Sequence, residues 1–358
     1  MKHVLLRTSW QAIIGIFLCL PIFYSATSIS TFNKDVEKDL WHVKAITPDG
    51  RFLDVKAIDQ NGKIFSVKAL EIDGNTHLMD IKALVGDHDD EMLPVKMLAS
   101  GDAFFPIKAI GKNGEIYDIK AITHDNVKLD VKGVGRTGSV IQIKAISQYG
   151  MLFGIKAISP SGITHDVKGI KMTNLDVEAE INGVPIFAHI KAFPPPVNLG
   201  SDYILNVRMI HTDGVSFPVR AIDAAGVQHK VKAFYRHGNA YLLDVRAMID
   251  GKNLPLAVMV SDDALSPVKA IGTDGQIYDI KAIGENGEII DIKGTESLGN
   301  IIHIKAVQSD GSIHGVKAVS PTGVFYDVKG IKMNPALVEG RISGVEIRAN
   351  IRALPQVR

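Results

Sequence analysis

Cysteine is almost missing from this chain. The only one, Cys19, lies in an N-terminal apolar stretch, so the body that follows can form no internal disulfide. Tryptophan is nearly as scarce: beyond that stretch only Trp41 could contribute to an interfacial aromatic girdle. Neither charge sign prevails, with 40 Lys and Arg against 39 Asp and Glu, which leaves no bulk attraction to nucleic acid or anionic lipid. There is no Gly-x-Ser-x-Gly elbow, no glycine-rich phosphate loop and no Cys–His pairing. No histidine pair has metal-ligand spacing. The expectation is a protein with no catalytic residues, no cofactor and no nucleic-acid partner.

What is present begins with an export signal. Lys2, His3 and Arg7 precede an apolar run over residues 12–24, and small residues follow at Ser25, Ala26, Thr27 and Ser28. This pattern predicts a signal peptide over residues 1–28, cleaved after Ser28. The run is shorter than the roughly 20 residues of a membrane span. Ile16, Phe17 and Leu18 before Cys19 are too large for a lipid-attachment site. The mature chain is therefore expected outside the cytoplasm, periplasmic or extracellular, without membrane contact once the signal is gone. Its hydrophobic share of 46% and charged share of 22% are those of a folded protein.

Internal repetition decides the fold class. A tetrad (Val/Ile)-(Lys/Arg)-(Ala/Gly)-(Ile/Leu/Val) recurs mostly every 12 residues, with basic residues at 44, 56, 68, 82, 96, 108, 120, 132, 144, 156 and 168. Two steps of 14 flank Lys82, and the slot resumes at Lys191 after a longer gap. More than half of the 40 basic residues occupy this one position. A longer duplication lies on top: residues 107–122 return as 268–283, and 166–172 as 327–333, an offset of 161 that puts Ala257 in a basic slot. Three consecutive prolines, Pro194 to Pro196, mark the joint. The predicted organisation is a first β-repeat block over 39–194, a linker over 195–202 and a second block over 203–358.

Each unit reads as a short strand and a tight turn. In Ile116-Tyr-Asp-Ile-Lys-Ala-Ile122, Tyr117, Ile119 and Ala121 share one face while Asp118 and Lys120 share the other. Turns such as Gly111-Lys-Asn-Gly-Glu115 and Gly284-Glu-Asn-Gly-Glu288 suit a three-residue hairpin loop with glycine in the left-handed region. That loop sets Lys108 opposite Asp118 and Lys120 opposite Asp130. Continued along a simple meander, it also sets Asp118 opposite Lys132, so that every Asp has a Lys on both sides and every large apolar residue has Ala or Gly beside it. The fold is expected to be all-β, a repetitive antiparallel meander of about 26 short strands in two tandem homologous blocks. The alternative is a two-sided β-solenoid, disfavoured because its parallel stacking puts Lys over Lys.

Few residues break the pattern in a way that suggests chemistry. Asp87, Asp89, Asp90 and Glu91 form an oxygen-rich run that could hold calcium, set against a solvated turn because it lacks the glycine and spacing of a calcium loop. Phe234, Tyr235, Arg236 and His237 form an aromatic and cationic turn of the composition seen where sugars or peptides dock, set against an ordinary variant turn. His165, His229 and His314 fall on the apolar face and His42, His189 and His303 in the Asp slot, which reads as drift of the repeat. The functional expectation is an exported, non-catalytic binding or scaffolding surface for a glycan or an envelope protein. An outer-membrane β-barrel and a carbohydrate-active enzyme are the alternatives. Against the barrel stand strands of about seven residues, short of the 9–11 a span needs.

Overall fold

Period-two alternation makes strands here, and the Asn-Gly and Asp-Gly turns keep them short. The structure is a computed structural model that describes residues 38–86, 91–201, 203–236 and 238–357. Among the described residues there are 26 strands and no α-helix. The first block supplies β1 (Lys38–Ile46), β2 (Phe52–Ile58), β3 (Ile64–Ile72), β4 (Asn75–Val85), β5 (Glu91–Leu98), β6 (Phe105–Ile110) and β7 (Ile116–Ile122). It continues with β8 (Lys128–Thr137), β9 (Val140–Ile146), β10 (Leu152–Ile158), β11 (Thr164–Ile170), β12 (Ala179–Ile181) and β13 (Val184–Phe193). The second block repeats the series as β14 (Ile204–Ile210) through β26 (Val345–Pro355). Each block is one 13-stranded, wholly antiparallel sheet.

The hairpin register follows the turn chemistry. Lys108 lies opposite Asp118, Ala109 opposite Tyr117 and Ile110 opposite Ile116, and Lys120 lies opposite Asp130. In the loop, Gly111 N–H donates to the Glu115 carbonyl at 2.8 Å and Gly114 N–H to the Gly111 carbonyl at 3.1 Å. Gly114 sits at φ +80°, and a Cβ there would lie 2.7 Å from the Asn182 carbonyl oxygen. The chain is thus an antiparallel meander, and the solenoid is not adopted: Lys108 faces Lys96 on its other edge, not Lys132.

The hairpins closed by three-residue loops, however, pair over only about three residues before their strands part and take new partners. The expected facing of Asp118 and Lys132 is therefore corrected: Asp118 lies across from Ile58, and Lys132 across from Pro106. Strands meet in closed triplets at four corners, made by β1–β2–β3, β6–β7–β8, β9–β10–β11 and β4–β5–β13. One further strand pair joins each corner to each other corner: β1–β10, β2–β7, β3–β4, β5–β6, β8–β9 and β11–β13. Four corners joined pairwise by six edges have the connectivity of a tetrahedron. The second block repeats the same scheme. Both edges of the repeat strands are hydrogen-bonded, so among the described residues the shell offers no long free strand edge to a neighbouring chain.

Every connecting pair brings basic slots face to face, as in Lys44 with Lys156, Lys56 with Lys120 and Lys132 with Lys144. The like-charge objection raised against the solenoid thus applies equally to the fold adopted, and it does not prevail. Side chains of these pairs lean away from their opposite numbers to the Asp of their own hairpin, as Lys44 to Asp54, Lys120 to Asp130 and Lys156 to Asp166, and Lys56 and Lys132 lie near an Asp of their own strand. These ammoniums keep contact with water, which screens what repulsion remains.

The inward face closes the shell. The residue before each basic slot, Val43, Val55, Ile119, Ile143 and their equivalents, points to one centre where twelve branched side chains leave a void of only about 10 Å³. The following residue, usually Ala, is wholly buried. Where Met97 takes that position, Gly133 and Gly169 make room, since a Cβ on either would come within 3 Å of the Met97 methyl.

The two blocks meet along a seam that treats them alike. Leu78 and Leu242, Val140 and Ile301, Ile170 and Ile331, and Phe193 and Leu354 are matched repeat positions that pack in one buried cluster. Beside it, His77 Nε2 lies 2.8 Å from Asp327 Oδ2, and Tyr241 O–H donates to Asp166. His77 matches Tyr241 in the repeat, as Asp166 matches Asp327. The seam therefore has the pattern of a two-fold, self-complementary dimer interface within one chain.

Candidate functional site

One corner of the first block departs from the others, and the uneven steps of the repeat mark it. Its strands β4, β5 and β13 carry the basic slots Lys82, Lys96 and Lys191, the three reached by the steps of 14 and the long gap. Their Asp slots hold Asp80, Pro94 and His189. The corner thus sets three amines against one carboxylate.

Register brings these groups together. Lys191 lies opposite Asp80 and His189 opposite Lys96. Lys191 donates to Asp80 Oδ1, Asn300 Nδ2 donates to Asp80 Oδ2 at 3.0 Å, and Lys96 Nζ lies 2.9 Å from His189 Nδ1. Lys108 and Lys120, at another corner, keep about a quarter of their side chain exposed, and Lys168 at a third is 8% exposed; Lys96 and His189 are 6% and 4% exposed and Lys191 is fully covered. Burial, reinforced by the Lys191 ammonium, pushes the Lys96 amine down to about 7. Burial with Lys96 and Lys191 drives His189 down to about 2, so its ring is neutral and Nδ1 accepts from Lys96. Burial alone would raise Asp80, but Lys191, Lys96 and Lys82 hold its carboxyl well below the usual carboxylate range.

A cleft of about 730 Å³ opens over this corner. One wall is the corner itself with Ala179, Glu180 and Ile181 of β12. The other belongs to the second block, from Ser297 to Asn300 and from Lys332 to Pro335. The second wall is fixed from below: Glu339 accepts from the backbone N–H groups of Met333 at 2.8 Å and Asn334 at 3.2 Å. Asn75 Nδ2 donates across the seam to the Leu298 carbonyl at 3.1 Å. The cleft exists only where the two blocks meet.

The residues singled out from the sequence lie elsewhere. Asp87, Asp89 and Asp90 are outside the described residues, as are Cys19 and the segment 1–28; Glu91 is half-buried, 3.1 Å from Lys112. Among the described residues no three His, Cys, Asp or Glu side chains form a group that could hold a metal ion. The aromatic turn is corrected in part. Phe234 is buried at the end of its strand, opposite Ile204, and Tyr235 stacks on Tyr203 at 5.8 Å. Arg236 continues the strand, and His237 is outside the described residues. Of the histidines, His165 is a core residue, packed edge-on to Trp41 at 4.8 Å with Nε2 3.0 Å from the Thr76 carbonyl. His42 and His303 pair with Lys68 and Lys329 as His189 does with Lys96. His189 lines the cleft at this corner, and sequence reasoning passed over it with Lys96, Asp80 and Asn300. The signal that could have found them is the irregular spacing, which isolates the strands of this corner.

A family model describing a family of unknown function, DUF7486, matches the chain twice, over residues 37–193 and 201–354. The chain belongs to that family and carries two copies of its unit. No curated protein and no solved structure matches it.

Proposed function

Starting from membership of a family without an assigned activity, we propose that this chain is an exported, non-catalytic binding protein that holds a glycan in the cleft between its blocks. The observation that carries the reading is the cleft. Its volume of about 730 Å³ falls in the range of ligand sites, about 300–1,000 Å³. Its lining combines lysines and asparagine amides with short apolar surfaces at Pro94, Met333 and Pro335, a set suited to hydroxyl-rich ligands. Glycoside cleavage ordinarily uses two carboxyl groups flanking the bond. Here Asp80 is engaged by Lys191 and Asn300, which leaves Glu180 without a working partner. Against a membrane barrel stands the outer face, a Lys–Asp ladder where lipid would demand an apolar band. Export rests on the basic, apolar and small-residue series of residues 1–28.

A glycan array probed with the mature chain tests the proposal, with Ala179→Trp as the cleft-filling control. Retention of a glycan by the parent and its loss in the variant, with β-type circular dichroism preserved, is the expected result. Retention unaffected by Ala179→Trp would remove the cleft from the reading. Capture of an envelope protein with no glycan retained would replace the ligand. Cell fractionation should find the chain outside the cytoplasm, shortened by about 28 residues, the length of the signal read from the sequence.

A further inference from the structure

We infer that the cleft receives an anionic group of its ligand, a carboxylate, sulfate or phosphate, between Lys96 and Lys82 of the first block and Lys332 of the second. The inference rests on the cleft being the ligand site and adds the chemistry of what it takes.

Charge accounting carries it. Lys82, Lys96 and Lys332 bring three amines to the cleft lining, against Asp80 and Glu180, while Lys191 is covered beneath Asp80 and Glu339 lies under the second wall. Asp80 is committed to Lys191 and Asn300, and Glu180 is exposed on β12. Among the described residues no carboxylate forms an ion pair with Lys82 or Lys96. Elsewhere in the block Lys44, Lys108, Lys120 and Lys156 are each matched to the Asp of their hairpin, while Lys68 and Lys168 reach His42 and Gln142. A buried amine is costly unless paired, and Lys96 has only a neutral imidazole for partner. An oxyanion in the cleft would supply the missing counter-charge, with the second N–H of the Asn300 and Asn334 amides, whose first engages Asp80 and the Glu339 carbonyl, as further donors.

The second block argues that Lys96 is not there for the fold. Its matching corner, β17 (Asn239–Ile249), β18 (Lys252–Met259) and β26, keeps the buried ion pair, with Arg352 Nε 3.4 Å from Asp244. In place of Lys96 and His189 it has Ala257 opposite Asn350, and Ala257 packs with Ile271 and Ile347. The corner closes without the amine. A lysine retained under burial, facing a cleft, where the same fold does without it, is placed for a ligand.

Binding should then be linked to protons. The groups facing Lys96 are His189 and Lys191 on β13, Asp80 and Lys82 on β4, Lys108 on β6, Glu180 on β12 and Lys332 from the second block. An anion beside Lys96 favours its charged form, so above pH 7 binding takes up a proton.

Calorimetry with the full mature chain tests this, using an oligogalacturonate, a sulfated oligosaccharide, inorganic phosphate and a neutral oligosaccharide of matched length. The parent should bind at least one anionic probe, with affinity falling toward tenfold per pH unit between about pH 8 and 9.5 and with proton uptake seen in buffers of differing ionisation enthalpy. Lys96→Ala combined with His189→Asn, the pair the second block already folds with, should lose most of that affinity and all of the pH slope. Lys96→Arg should keep the affinity and flatten the slope, because guanidinium does not titrate there. Phosphate alone binding as tightly as the oligosaccharides would assign the site to the free anion and not to a glycan end. Binding of the neutral probe alone would overturn the inference and leave the glycan reading standing. No binding by any probe would sink both, and anion binding that survives the double variant unchanged would move the site away from Lys96.

Discussion

The corner built by β4, β5 and β13 and its counterpart in the second block share strand order, register and a buried ion pair, and differ in what is laid beside that pair. In one the ion pair, Asp80 with Lys191, has Lys96 and His189 for neighbours; in the other, Asp244 with Arg352, it has Ala257 and Asn350. What both keep is what closing three strands around one point demands: two antiparallel edges per strand and a counter-ion for a covered cation. What only one keeps is extra chemistry that the closure does not need. Two copies of one fold in a chain thus act as an internal control, and the comparison separates architecture from site.

The strongest way to break that comparison is to separate the copies. A chain of residues 37–193 alone would bare Leu78, Val140, Ile170 and Phe193, the seam positions. Because the seam has a two-fold pattern, that face can meet a second copy of itself. The expected result is a folded β protein that runs as a dimer by light scattering at micromolar concentration, with residues 203–358 behaving likewise. A soluble monomer would show that the seam is not self-complementary. A chain without β-type circular dichroism would show that the blocks share their stability.

A smaller effect sharpens the contrast between the corners. Lys96 titrates near 7 in the folded protein and near 10.5 unfolded. The cost of charging it under burial is therefore fully present below pH 7, and stability rises as pH climbs through the window from about 7 to 10.5. Lys96→Ala with His189→Asn removes that term. Relative to the parent, the variant should be more stable at pH 6 by about 1–4 kcal/mol, a margin that shrinks toward pH 10. Urea unfolding of both proteins across that range measures it, and a margin independent of pH would show that Lys96 carries no buried charge.

The smallest effect tests sameness. Lys108–Asp118 and Lys269–Asp279 are the same exposed hairpin pair in the two blocks. Double-mutant cycles to Ala should give a coupling of about 0.5 kcal/mol at each, weakening with salt. A coupling several times larger in one block would mean that the ladder is not equivalent in the two.

Much of this protein was legible in the sequence. Period-two alternation, the Asn-Gly and Asp-Gly turns and the 161-residue offset determined strands, hairpin register and the doubled plan, because each depends on residues within about a dozen positions of one another. The pairing of Lys108 with Asp118 is local in this sense, being set by a three-residue loop. Which distant strands join was not legible. The connecting pairs set one Val-Lys-Ala tetrad against another, as at Lys56 and Lys120, so by residue type any tetrad could face any other. Only closure of the shell, with every edge paired and twelve side chains meeting at one centre, selects among them. The cleft depends on the same decision: Lys96 and His189 are 93 residues apart, and Asn300 reaches Asp80 from the other block. Tertiary structure alone brought them together, because burial, which leaves an ordinary lysine of the repeat with a neutral imidazole and no carboxylate, is a property of what covers a residue and not of the residue.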